Sequence, residues 1–208
     1  MKKLIAILAV SLLSLRAFAT ISIDVGAADL RDNNGVLMPT NGLVLLVADT
    51  LSNGFVVADN LLGASIASAS SFLKDDDWII WRAELDSGFG EGYLLQTAGN
   101  LILTNGWGVG DPIALYWFPT LTLTDTTVPA GIWHGWYTTN VAIDTTTPPG
   151  WFTPGDGAAI TLNLVTESQG GSSPNSMGYA NYFVPEPSAL ALVGMGLAAM
   201  WLMRRYRR

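Results

Sequence analysis

The chain has 208 residues, no cysteine and one histidine, with half of its residues apolar and a formal net charge of −7. That length suits one core-forming domain plus processing segments, and the lack of cysteine excludes disulfides, thiolate metal sites, cysteine nucleophiles and lipid attachment through a thiol. Seven of the ten basic residues lie in the two terminal segments, leaving residues 20–184 with three basic and sixteen acidic residues, a formal charge of −13 that argues against nucleic acid as a partner.

The first segment, residues 1–19, reads as a signal peptide. Lys2 and Lys3 form a basic start, Leu4 to Leu15 a twelve-residue apolar run, and Ala17-Phe18-Ala19 the small-x-small pattern that signal peptidase requires, with cleavage before Thr20. As a helix, twelve residues rise only about 18 Å, short of the roughly 30 Å of a bilayer core.

Residues 20–167 read as an all-β body, a single β-sandwich or jelly-roll-like domain. Segments rich in β-branched and aromatic residues alternate with Gly, Pro, Asn and Asp breaks. Strands are predicted near residues 20–25, 42–49, 78–85, 91–97, 112–118, 120–125, 132–139 and 158–166. The Ala- and Ser-rich stretch Leu61 to Leu73, with apolar residues at mixed spacing, reads as a short helix or another strand pair, of which the short helix is the expectation. No period of 20 to 50 residues repeats, which disfavours a solenoid or propeller.

Two acidic loops are candidates for a hard cation such as Ca²⁺. Asp49, Asn53 and Gly54 occupy positions one, five and six of a calcium-loop pattern, but Leu51 stands at the third position and Asn60 at the twelfth, so an Asn-Gly turn explains the segment as well. Asp75-Asp76-Asp77 offers adjacent carboxylates that also suit a solvated turn.

Catalysis has little support. Glu84 and Glu91, with Asp86 nearby, are a chance-level imitation of a glycosidase carboxylate pair. His134 is the only histidine, and no serine lies in a nucleophile elbow. The expectation is that the chain is not an enzyme.

Seven tryptophans lie in the body, and a flat indole can stack on a sugar ring. Trp78 and Trp81, and likewise Trp133 and Trp136, are three apart and should face opposite sides of a strand. Trp107 and Trp151, set among Gly and Pro, are the better candidates for exposed stacking on an extracellular polysaccharide, against the alternative that they too pack in the core or anchor turns.

Residues 168–183, rich in Gly, Ser, Asn and Pro, read as a flexible linker. Beyond it come Val184-Pro185-Glu186-Pro187-Ser188, fifteen mainly apolar residues from Ala189 to Met203, and a cluster containing Arg204, Arg205, Arg207 and Arg208. The two prolines hold the first part extended. The arginines resist translocation and stay cytoplasmic. A fifteen-residue transmembrane helix spans only about 22 Å, a marginal anchor suited to a transient intermediate.

Residues 184–208 resemble the sorting signal of the PEP-CTERM family: Pro185-Glu186-Pro187, a short hydrophobic helix containing Gly194 and Gly196, then the arginine cluster. The resemblance implies a membrane-embedded exosortase, a protease or transpeptidase, that recognises and removes the tail. It further implies an inner-membrane-anchored intermediate, followed by the cell surface or extracellular matrix. The expected function is therefore that of an exosortase-sorted surface or matrix protein with a structural or adhesive role. The alternatives are a carbohydrate-binding module for extracellular polysaccharide and, third, a polysaccharide hydrolase.

Overall fold

The computed structural model describes residues 20–27, 29–85, 88–103, 106–138, 151–155, 157–164, 178–186 and 203–204. The signal-peptide residues Ala17 and Ala19, Asp86, the motif residues Pro187 and Ser188, and Arg205, Arg207 and Arg208 lie outside them. No helix among the described residues is long and apolar enough to cross a membrane.

The body is all-β. β1 (Thr20–Ala27) shows the period of two that its sequence predicts: Ile21, Ile23, Val25 and Ala27 are buried, and the residues between them are not. It sits between β5 (Leu94–Ile102), antiparallel to it, and β8 (Ala159–Leu164), parallel to it, in a three-stranded sheet. The second sheet has six strands in the order β3 (Ser71–Lys74), β4 (Asp77–Glu84), β2 (Leu43–Asp49), β6 (Ile113–Phe118), β7 (Trp133–Tyr137), β9 (Tyr182–Phe183). The parallel β1–β8 pair is a departure from the antiparallel jelly-roll expectation.

Two apolar clusters flank the large sheet. Between the sheets, Ile23 and Val25 of β1 and Leu162 of β8 pack with Val44, Leu46, Leu115 and Trp117. On the opposite face Leu43, Leu45, Val47, Tyr116 and Phe118 are covered by Leu61, Ile66, Leu121, Val128 and Val184 from loops and the C-terminal segment. Strands β2 and β6 are therefore buried on both faces, which is why their sequences are unbroken apolar runs rather than alternating ones. Trp117 lies across its register partner Gly135: a Cβ on that glycine would fall 2.0 Å from the indole ring, so only a residue without a side chain admits the ring there.

Three sequence expectations fail locally. Residues 61–73 are not helical; a 3₁₀ turn, Ala58–Leu61, and a turn closed by the Ala64 N–H on the Leu61 carbonyl lead into an irregular segment with cross-chain bonds that ends in β3. The N–H of Ser65 reaches the Leu73 carbonyl and that of Ile66 the Thr126 carbonyl, both within 3.0 Å. Residues 120–125 turn instead of extending, because the Asp125 carboxylate accepts the Thr122 N–H at 2.8 Å. The linker does not reach residue 183: the N–H of Arg31 bonds the Gly178 carbonyl at 2.6 Å, that of Ala180 bonds the Arg31 carbonyl at 3.0 Å, and β9 pairs with β7.

Candidate functional site

The two ends of the large sheet differ in chemistry. At one end β2 finishes at Asp49, in register with Asp77 at the start of β4, and both side chains are buried. Asp49 braces the loop that follows it: Oδ1 accepts the N–H groups of Leu51 (3.2 Å) and Asn53 (3.3 Å), and Oδ2 that of Gly54 (2.7 Å). Asp76 accepts the Leu51 N–H at 3.2 Å and the Asn53 side-chain amide at 3.4 Å. Oδ2 of Asp77 accepts the Val56 N–H at 2.7 Å, and the Val56 carbonyl accepts the Tyr116 hydroxyl at 2.9 Å. Asp75 occupies the hairpin turn with φ of 51°, a left-handed conformation that Asp tolerates.

The structure thus gathers Asp49, Asn53, Asp75, Asp76 and Asp77 around one loop. Asp49, Asp76 and Asp77 face loop amides, and among the described residues no group of three or more acidic, His or Cys side chains is arranged to hold a metal ion.

The electrostatics are those of buried acids close together. Oδ1 of Asp77 is buried without a hydrogen-bond partner. Burial pushes the Asp77 carboxyl up to about 7, opposed by the Val56 N–H and reinforced by the charges of Asp49, Asp76 and Asp75. Asp111 is raised by burial too, opposed by the Gly108 N–H and aided by the charge of Asp49. Against the second apolar cluster His134 is fully buried among Tyr116, Phe118 and Tyr182, and burial pulls its imidazole down to about 4.

The sugar-stacking expectation is corrected at both residues that carried it. Trp107 is 7% exposed and Trp151 3%, and both belong to the core between the sheets. They lie in loops, as Gly and Pro suggested, but those loops fold inward. The Trp151 carbonyl accepts the Ile113 N–H at 2.7 Å, and Tyr137 meets the Trp151 ring edge-on at 5.1 Å. Trp78 and Trp81 both face the inter-sheet core, against expectation, because a bulge at Ile80 breaks the alternation between their register partners Ala48 and Leu46. Trp133 and Trp136 do take opposite faces. Glu84 accepts the Leu123 N–H at 3.3 Å, so it caps a loop.

At the other end of the sheet the chain leaves the body. β9 pairs with the edge of β7 in the register Trp133 to Phe183 and His134 to Tyr182, with the rings of Trp133 and Phe183 5.0 Å apart. Val184 is fully buried; its N–H bonds the Ile132 carbonyl at 2.9 Å and its carbonyl accepts the Gly131 N–H at 2.8 Å. Pro185 is half-buried and Glu186 exposed. Beside this exit a cleft of about 370 Å³ opens, walled by the turn around Asp32 to Val36 and by Pro39, Pro119, Gly131 and Trp133. Glu186 adjoins its Gly131 wall, since a Cβ added to Gly131 would lie 3.3 Å from the Glu186 Oε1.

A protein-family profile described as the PEP-CTERM protein-sorting motif matches residues 183–208. The chain carries a PEP-CTERM sorting motif. No curated protein and no solved structure matches the chain. The PEP-CTERM motif implies processing by an exosortase and export to the cell surface. Its first two matched residues, Phe183 and Val184, belong to the folded body, one as the end of β9 and the other as part of the second apolar cluster. Sequence reasoning missed that attachment. The apolar triplet Tyr182-Phe183-Val184, standing alone after a Gly- and Ser-rich stretch, was its available signal.

Proposed function

We propose that this chain is a structural or adhesive component of the cell envelope or extracellular matrix, delivered as a sandwich-like body by an exosortase that removes its C-terminal tail. The PEP-CTERM match at residues 183–208 is the observation that carries the reading. In this reading signal peptidase cleaves between Ala19 and Thr20, the apolar run from Ala189 holds the chain transiently in the inner membrane, and the arginines from Arg204 onward stop translocation. The body acts as a scaffold rather than a catalyst or a cofactor carrier. Its supports are two apolar clusters that bury both faces of the central strands and carboxylates that brace loops.

The carbohydrate-binding alternative loses the two tryptophans that motivated it, now buried. The test is a deletion strain complemented with the full chain. Loss of matrix cohesion that returns with complementation supports the scaffold. Intact cohesion, or polysaccharide turnover by the purified protein, overturns it.

A further inference from the structure

Only four residues, Pro185 to Ser188, separate the fully buried Val184 from the apolar run that starts at Ala189. Fully extended, four residues reach roughly 14 Å. An enzyme that engages Pro185-Glu186-Pro187 at the membrane surface must therefore also lie against the end of the body from which the motif emerges.

That end is shaped to be touched. The cleft of about 370 Å³ opens beside Glu186, and Gly131, with φ of 80°, forms the wall between them. Asn33 and Asn34 present exposed carboxamides at its rim, Val36 is 61% exposed, and Phe183, more than a third exposed, meets the ring of Trp133 in the cleft wall. The Asp32 carboxylate holds this rim in place by accepting the N–H groups of Asn34 and Val36, each at 2.8 Å. The opposite end of β2 is six residues away, about 20 Å, and ends in the braced acidic loop, out of reach of the tether.

We propose that the cleft and the emerging motif form one composite docking surface for the membrane-embedded processing enzyme, so that sorting reads the folded end of the body as well as the Pro-Glu-Pro sequence. The occupant is an extracytoplasmic loop of that enzyme, with an apolar residue to fill the space between Val36, Pro39 and Trp133 and donor groups to meet the Asn33, Asn34 and Glu186 oxygens. The inference rests on the exosortase reading of the motif. It predicts that β9 acts as a positioning clamp: by pairing with β7 and holding Val184 on Gly131 and Ile132 it fixes the distance and direction from cleft to motif.

The experiment is pulse-chase of the full chain in its own cells, following loss of the tail. Val36→Arg and Asn34→Arg, both at exposed positions, and a ten-residue Gly/Ser insertion between Val184 and Pro185 should each slow tail removal about fivefold or more. Leu51→Arg at the distal end should not slow it. Unchanged urea midpoints of the purified variants separate this effect from misfolding. The chain has no natural cysteine, so a photo-crosslinker on Asn34→Cys should capture the enzyme, and one on Leu51→Cys should not. Wild-type rates in the cleft variants and the insertion, or crosslinks from position 34 to lipid alone, would overturn the proposal. Processing that also ignores Pro185→Ala with Pro187→Ala, or no processing of the wild type, would overturn the sorting reading beneath it.

Discussion

Replacing Asp77 by asparagine should change how stability varies with pH more than it changes stability itself. The buried carboxyl ionises at about 7 in the folded body instead of at 3.8, chiefly because burial penalises its charge, with Asp49, Asp76 and Asp75 adding repulsion. The folded state thus holds a proton that the unfolded chain releases, so stability falls as pH rises from about 4 to about 7. At about 1.4 kcal/mol per tenfold change in proton affinity, ionising Asp77 removes on the order of 4 kcal/mol across that window. His134 acts with the opposite sign. Its imidazole is drawn from 6.5 down to about 4 by burial, so the unfolded state binds the extra proton and stability rises with pH between those values, by about 3 kcal/mol. In the wild type the two slopes oppose each other. In Asp77→Asn, which keeps an acceptor for the Val56 N–H, only the histidine slope remains of the pair. Urea unfolding followed by tryptophan fluorescence at pH 4, 5.5 and 7 reads the difference between variant and wild type directly. That difference should move by about 4 kcal/mol in favour of the variant as pH rises from 4 to 7. A difference constant to within about 1 kcal/mol would mean that Asp77 is ionised in the folded state throughout, refuting the reasoning.

Other substitutions test the packing on which the two ends depend. Gly135→Ala places a methyl group 2.0 Å from the fully buried Trp117 ring and should lose about 3 kcal/mol or more by urea titration; a loss below about 0.5 kcal/mol would show that the ring does not cross β7. Trp107→Ala and Trp151→Ala should each lose about 3–5 kcal/mol as core truncations, whereas near-neutral melts would return them to the surface. Val184→Asp puts a charge into the second apolar cluster, and hydrogen exchange at the Gly131 amide should accelerate by an order of magnitude or more as β9 detaches; retained protection there would show that the clamp does not depend on Val184.

The legible parts of the sequence are those where local pattern and tertiary role agree. The alternation in Ile21, Ile23 and Val25 and the apolar runs of β2 and β6 announce strands because burial on one face or two leaves a direct mark on composition. Residues 120–125 alternate as well as any strand, yet one carboxylate, that of Asp125, closes a turn there. The Ala- and Ser-rich stretch after Leu61 has no period strong enough to show that its amides pair across space. At the acidic end, sequence placed Asp49 at the end of a strand and Asn53 and Asp75 to Asp77 in turns, but not that they share one loop, because the register of β2 on β4 joins them over more than twenty residues. The orientation of tryptophans was the hardest to read. Gly and Pro around Trp107 and Trp151 mark loops without saying whether a loop turns out or folds in, and the bulge at Ile80 that turns Trp78 and Trp81 to the same side has no signature in its residues. The sorting motif was legible because order and composition carry it; its attachment through β9 was not, because a two-residue strand has no period.

Intact-mass measurement of the native protein, from its own cells and from cells lacking the exosortase, tests the account most directly. The account predicts a mature form that begins at Thr20 and ends after Val184, since cleavage earlier would strip a fully buried side chain and the strand that covers His134, with the tail retained when the enzyme is absent. A tail present in both strains, or a mature C-terminus before Tyr182, would contradict it.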